Sequence, residues 1–143
     1  MTLSPRLPFF VYGTLRPGEP NHDAFLRGRV RAEEPARMEG AALYDGPGYP
    51  YVVEDVRGGG MVYGDLVTAR PEGYATLLAD LDRLEEYAPG DPRSLYERVA
   101  REVLRDVDGT GVQAWVYVAA PSVAARLRAR GRLIESGDWR GRR

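Results

Sequence analysis

The sequence predicts a strand-rich α+β domain, and three observations predict it. Short runs rich in Val, Tyr, Phe and Trp recur along the 143 residues, which is the composition that suits a pleated, half-buried surface. The 17 Gly and 11 Pro fall between those runs, where they punctuate turns. One segment alone carries a strong helical period. Hydrophobic residues make up 43% and charged residues 29%, a balance that fits neither a disordered tail nor a membrane bundle. A chain of this size can bury roughly 68–70% of its unfolded surface, enough for one core. No repeat or linker divides it, so one domain across residues 1–143 is expected.

Taken in order, the candidate strands are residues 8–12, 38–44, 51–54, 61–68, 95–107 and 112–118. Gly58-Gly59-Gly60 lies between two of them and reads as a hairpin turn. It does not read as a phosphate cradle, because no helix start follows it. In the segment 95–107, Val99 and Val103 share a face with Glu97 and Arg101, which predicts a bulge or an exposed edge. Tyr74, Leu77, Leu78, Leu81 and Leu84 recur at three- and four-residue spacing after Pro71, and predict a helix over residues 71–87 that stops before Pro89. Shorter helical pieces are expected at 21–27 and 121–130.

Composition removes several chemistries. All 20 basic residues are Arg and face 21 acidic ones, for a net charge of −1, so no nucleic-acid partner is expected. The absence of Cys excludes disulfides, thiol nucleophiles and thiolate metal sites, and the lone His22 argues against a histidine-built metal site. The apolar run at 7–11 is far too short for a signal h-region or a membrane span. A cytoplasmic protein without a membrane partner is the expectation, with chemistry carried by carboxylates, hydroxyls, Arg or backbone.

One carboxylate is in an unusual place. At about 100° per residue, Glu85 lies roughly 40° from the centre of the apolar stripe of the helix, whereas Glu86 lies roughly 140° away. Glu85 therefore points inward and Glu86 toward water. A carboxylate carried into apolar surroundings has its charged form disfavoured, which makes Glu85 a candidate general acid/base. The competing reading is a helix-end glutamate that curls to solvent or pairs with an Arg. A second clue is the break of the 8–12 strand at Gly13. The residues that follow, Thr14 and Leu15, offer successive backbone N–H groups that can converge on an anion, while an ordinary strand-ending turn explains the same residues.

Tyr12-Gly13-Thr14-Leu15-Arg16-x-Gly18, then Asn21-His22, Leu81-Asp82-x-Leu84-Glu85, Tyr96-x-Arg98, Ala114-Trp115-Val116-Tyr117 and Ser136-Gly137-Asp138-Trp139 follow one another in series. In order and spacing they resemble the gamma-glutamylcyclotransferase-like superfamily over nearly the whole chain, and most of all its small bacterial and gamma-glutamylamine cyclotransferase branch. The resemblance implies a mixed β-barrel with a few flanking helices. It also implies substrate binding by Tyr12, Gly13, Thr14 and Leu15, Glu85 as acid/base, and Tyr96 as a pocket tyrosine whose hydroxyl bonds substrate or Glu85. A core tyrosine with a satisfied hydroxyl is the alternative for Tyr96. Relatives commonly carry Gly directly after the glutamate, where this chain has Glu86. In the pocket it would set two carboxylates side by side, but the helix angle turns it away.

The implied reaction is the closure of a γ-glutamyl amine or related γ-glutamyl compound to 5-oxoproline, with release of the amine. The substrate's own α-amine is then the nucleophile, and no metal or organic cofactor is required. A non-catalytic module that binds a small ligand in the same pocket is the alternative. Three further features have two readings each. Seven Arg accompany Glu135 and Asp138 between positions 126 and 143, as a solvated face or as a phosphate or partner contact. Tyr49-Pro50-Tyr51, and the Trp115/Tyr117 pair, either line a pocket mouth or fill the core. The Asn21-His22 pair fits a helix-start or loop-fixing role.

Overall fold

The computed structural model describes residues 6–46, 48–54 and 59–141. Gly58 of the glycine triplet and the terminal Arg142 and Arg143 lie outside the described residues. Eight strands, β1 (Phe9–Val11), β2 (Val30–Glu39), β3 (Ala41–Asp45), β4 (Tyr51–Glu54), β5 (Met61–Ala69), β6 (Tyr96–Arg105), β7 (Gly111–Ala119) and β8 (Arg132–Leu133), are joined by two α-helices. These are α1 (Tyr74–Leu84), between β5 and β6, and α2 (Pro121–Arg130), after β7. A π-helical turn spans His22–Leu26 and a 3-10 turn Trp139–Gly141.

Five strands close a barrel in the order β1-β5-β2-β6-β7, and β4-β3-β8 form a separate three-stranded sheet. The barrel closes where β1 runs parallel to β7, with Phe9 opposite Trp115 and the Trp115 N–H donating to the Pro8 carbonyl at 2.8 Å. The expected mixed barrel with flanking helices is thus present. No helix among the described residues is long and apolar enough to cross a membrane.

Two hydrophobic cores lie on either side of the barrel wall. One gathers Phe9, Val11 and Tyr117 with Leu77 and Leu81 of α1 and Val123 and Leu127 of α2. The other gathers Phe10, Tyr12, Val116 and Val118 with Val62, Leu66, Ile134 and Trp139. Alternation along β1 sends successive side chains into the two cores, so the strand is buried on both faces. Its C-terminal end therefore emerges from the most enclosed part of the molecule, where a polar loop can be shielded from water.

Several sequence expectations change. The strand expected at 38–44 is two strands, because Gly40 at φ +73° turns the chain between β2 and β3. The hairpin expected at the glycine triplet falls partly outside the described residues; among those described, β4 pairs with β3 while β5 pairs with β1 and β2, and β4 and β5 do not pair. Gly60 instead lies against the Ala41 backbone, where an added Cβ would come within 2.2 Å of the Ala41 carbonyl oxygen. β6 carries no bulge against β7, and the register runs unbroken from Tyr96↔Ala119 to Leu104↔Gly111. Its other edge meets β2 only at Ala36↔Arg105 and Arg37↔Leu104, so the exposed-edge half of that expectation holds over most of the strand. α1 begins at Tyr74 rather than Pro71, after a turn through Gly73 at φ +87°. Residues 30–37 of β2 had no counterpart in the sequence reading because their charged side chains make the segment look like coil.

Leu81 is fully buried beneath α1. Leu81→Ala is expected to lower unfolding free energy by about 3 kcal/mol in chemical denaturation, the usual cost of a core truncation that leaves a cavity.

Candidate active site

Helix α1 delivers Glu85 at its C-terminal cap. Two bonds end the helix: Tyr87 N–H to the Asp82 carbonyl at 2.8 Å and Glu86 N–H to the Arg83 carbonyl at 3.1 Å. That pair of bonds is a Schellman motif, which needs a left-handed residue at the position Glu86 occupies. Glu86 has φ +52° and is the one non-glycine with positive φ among the described residues. The same requirement accounts physically for a glycine there in relatives. A side chain in this conformation costs about 1–2 kcal/mol.

A buried polar cluster holds this end of the helix against the barrel. The Asp82 carboxylate accepts from Arg98 Nε at 2.9 Å and from the Tyr117 hydroxyl at 2.6 Å. The Arg98 guanidinium in turn lies over the Trp115 ring, 4.3 Å from its centroid. Asp82, Arg98 and Tyr117 belong to three of the motifs noted in the sequence, and their contacts explain why those motifs travel together. All three hold the end of α1 that carries Glu85 against β6 and β7.

The loop after β1 is fixed as firmly. Arg16, 8% exposed, donates from Nε to Asp65 on β5 at 2.8 Å and from Nη1 to Asp138 at 2.7 Å. Asn21 Nδ2 donates to the Thr14 hydroxyl at 2.8 Å, and the Asn21 N–H to the Thr14 carbonyl at 3.1 Å. Asn21 thus fixes the loop and makes no side-chain cap. His22 contacts Glu33 on β2 through Nε2 at 2.7 Å. Gly13 has a reason different from turn conformation: a Cβ there would lie 2.7 Å from Pro50 Cδ. Pro50 closes on the loop from the β3–β4 hairpin and roofs it. The loop's own backbone bonds use the N–H groups of Arg16, Glu19 and Asn21, so those of residues 13–15 are outside this set.

Two adjoining hollows result. The inner one, about 370 Å³, is walled by residues 10–15, Tyr49, Pro50, Glu85, Tyr96 and Tyr117. The outer one, about 550 Å³, shares Thr14, Tyr49, Glu85 and Tyr96 with it and adds Asn21, Leu84, Glu86 and Leu95. Every residue singled out in the sequence, Glu85, Tyr12, Gly13, Thr14, Leu15 and Tyr96, therefore faces the inner hollow. Burial alone pushes the Glu85 carboxyl up to about 7. No cation or hydrogen-bond donor among the described residues meets this carboxyl, so the ion-pair reading of it falls away.

The tyrosine hydroxyls turn out to be committed to backbone. Tyr12 donates to the Tyr117 carbonyl at 2.5 Å, and Tyr96 donates to the Pro50 carbonyl at 2.8 Å. Both are driven well above the ordinary tyrosine range, chiefly by burial. Tyr96 also stacks on Tyr51 with ring centroids 4.8 Å apart. The hydroxyl of Tyr96 thus matches the satisfied core tyrosine and makes no bond to Glu85 among the described residues, while the residue forms part of the cavity wall. Tyr49, named in the sequence only as a possible pocket mouth, lines both hollows, and so does Thr14.

Glu86 is exposed, as the helical angle expects. It also borders the outer hollow, because the helix ends at Leu84 and the cap geometry, rather than a further 100° step, places it.

Gly13→Ala is expected to push Pro50 off the loop, lowering stability by about 1–3 kcal/mol as over-packing does and reducing ligand binding in calorimetry. Glu86→Gly is expected to do the reverse to stability, raising it by about 1 kcal/mol in thermal unfolding by relieving the left-handed backbone.

Comparisons with known proteins identify the family. Residues 9–141 match the family described as gamma-glutamyl cyclotransferase, AIG2-like. The gamma-L-glutamyl-butirosin B gamma-glutamyl cyclotransferase of Niallia circulans is 34% identical over 110 residues, 76% of this chain and 64% of that protein. The crystal structure of YkqA from Bacillus subtilis superposes with a TM-score of 0.65 at 27% identity, over 93% of this chain and 39% of that one. An AIG2-like protein from Mus musculus gives 0.60 at 26% identity, over 81% of this chain and 80% of that one. The chain thus spans less than two thirds of the length of the first two. By its sequence match from residue 9 to residue 141, this chain belongs to the AIG2-like gamma-glutamyl cyclotransferase family.

Proposed function

We propose that the chain is a cofactor-independent cyclotransferase that converts a γ-glutamyl amine or related γ-glutamyl compound to 5-oxoproline and the free amine. The observation that carries this reading is the partnerless Glu85 carboxyl, held near neutrality by burial, on the wall that the loop of residues 12–15 completes. Family membership and the name of the Niallia circulans relative support a γ-glutamyl substrate.

In the proposed reaction the substrate's α-nitrogen attacks its own γ-carbonyl carbon. A new C–N bond closes the five-membered ring, and the bond from that carbon to the amine nitrogen breaks. Glu85 takes the proton that the α-nitrogen loses and gives one to the departing nitrogen, so no water or external group is consumed. Both proton steps need a group that is charged and uncharged in comparable amounts at working pH, which a carboxyl near 7 provides and an ordinary one does not. Because nucleophile and electrophile are in one molecule, holding the chain in a folded, near-attack conformer supplies much of the acceleration, up to about 7–11 kcal/mol in well-oriented cases.

The N–H groups of Gly13, Thr14 and Leu15 are assigned to the substrate's α-carboxylate or to the oxyanion, where one donor is worth about 3–4 kcal/mol. With its proton given to Pro50, Tyr96 presents only acceptor lone pairs, suited to the α-ammonium. Tyr12 seals the floor rather than touching the reacting atoms with its hydroxyl, which bonds the Tyr117 carbonyl.

Glu85→Gln tests the reading. Loss of 5-oxoproline release by about 10²–10⁴-fold is expected; undiminished release would overturn the assignment. Ligand binding without product in the wild type across γ-glutamyl compounds would instead identify a binding module. In the wild type, kcat/KM should fall as pH drops below about 7, because a protonated Glu85 cannot accept the ammonium proton. Stability should move the other way. The folded-state value lies above the ordinary 4.5, so ionising Glu85 costs the fold increasingly as pH rises from about 4.5 to 7, fully above it, and nothing below 4. Glu85→Gln is therefore expected to gain up to about 3 kcal/mol over wild type at pH 8 and nothing at pH 4.

A further inference from the structure

We infer that Glu86 sets the charge preference for the departing amine, favouring γ-glutamyl compounds whose amine portion carries a second, cationic group. The inference rests on the cyclotransferase reading and deepens it. The inner hollow holds the loop N–H groups suited to the glutamyl carboxylate, so the amine side of the scissile bond extends through the shared wall at Thr14 and Glu85 into the outer hollow. The charged side chains lining that outer space are both carboxylates, Glu85 and Glu86, and no Arg is among its lining residues. Glu86 is exposed, and among the described residues no cation pairs with it.

Backbone geometry gives an independent reason. The Schellman turn asks for a left-handed residue at position 86, where glycine is cheapest, yet a carboxylate stands there at φ +52°. Strain held at the rim of a catalytic cavity points to use of the side chain that bears it. An unpaired anion at that rim attracts a cationic leaving group and repels one that ends in a carboxylate.

Three substrates of equal length separate these effects: the mono-γ-glutamyl derivatives of 1,4-diaminobutane, of pentylamine and of 4-aminobutanoate, which end in a cation, a methyl group and an anion. In the wild type, kcat/KM for the cationic compound should exceed that for the neutral one by about three- to fivefold, the size of an exposed ion pair, with the anionic compound slowest. Glu86→Gln and Glu86→Gly should each bring the cationic-to-neutral ratio to about one, and raised salt should compress it in the wild type. Glycine at 86 suits the turn, so a folding failure cannot mask the result. A wild-type ratio that survives in both variants, or a flat wild-type preference with turnover of all three, overturns the role of Glu86 alone. Absence of 5-oxoproline from all three in the wild type overturns the cyclotransferase reading and this inference with it.

Discussion

The Asp82 carboxylate is the contact on which the site depends. It lies one turn before the end of α1 and accepts from Arg98 on β6 and Tyr117 on β7. Through it the loose end of a helix is locked to two barrel strands. The ion pair is largely enclosed, with side-chain exposures of 15% for Arg98 and 20% for Asp82, so water competes weakly for either partner. Without that lock, a carboxyl in the last turn would swing to solvent, where it gains hydration, and would return to ordinary acidity. The elevated proton affinity of Glu85 comes from burial, and the Asp82 pairing fastens to the barrel the helix end that carries it.

The distribution of hydroxyl protons has a similar logic. Tyr12 and Tyr96 both surround the inner hollow, and both spend their proton on a main-chain carbonyl. A cavity ringed by phenols is consequently poor in side-chain donors. In the proposed reaction the turn at residues 13–15 holds the anion and Glu85 exchanges the proton. This separation keeps the single titrating carboxyl free of internal partners and available to a ligand.

Much of this was legible in the sequence where local periodicity and burial are one and the same physics. α1 and the inward aim of Glu85 followed from the Leu spacing, and β4 and α2 fall on the expected residues because their boundaries are set by local turn and proline chemistry. β2 was illegible because Arg31, Glu33, Glu34 and Arg37 make a strand look like a charged coil, and only pairing with β5 reveals it. Gly13 was singled out, but for freedom of the turn; its reason is Pro50, brought against it from a different sheet. The roles of Tyr12 and Tyr96 depended on partners 105 and 46 positions distant, which no window of sequence contains. The exposure of Glu86 was legible, but its place on the outer wall was not, because the helix ends two residues before it.

Arg16 spans an even longer interval, since one arm of its guanidinium grips Asp138, 122 positions downstream. During synthesis the loop that begins at Tyr12 is made well over a hundred positions before its fastening at Asp138. A nascent chain therefore carries an unassembled pocket until Asp138 has left the ribosome, and the loop is fastened only then, in step with barrel closure.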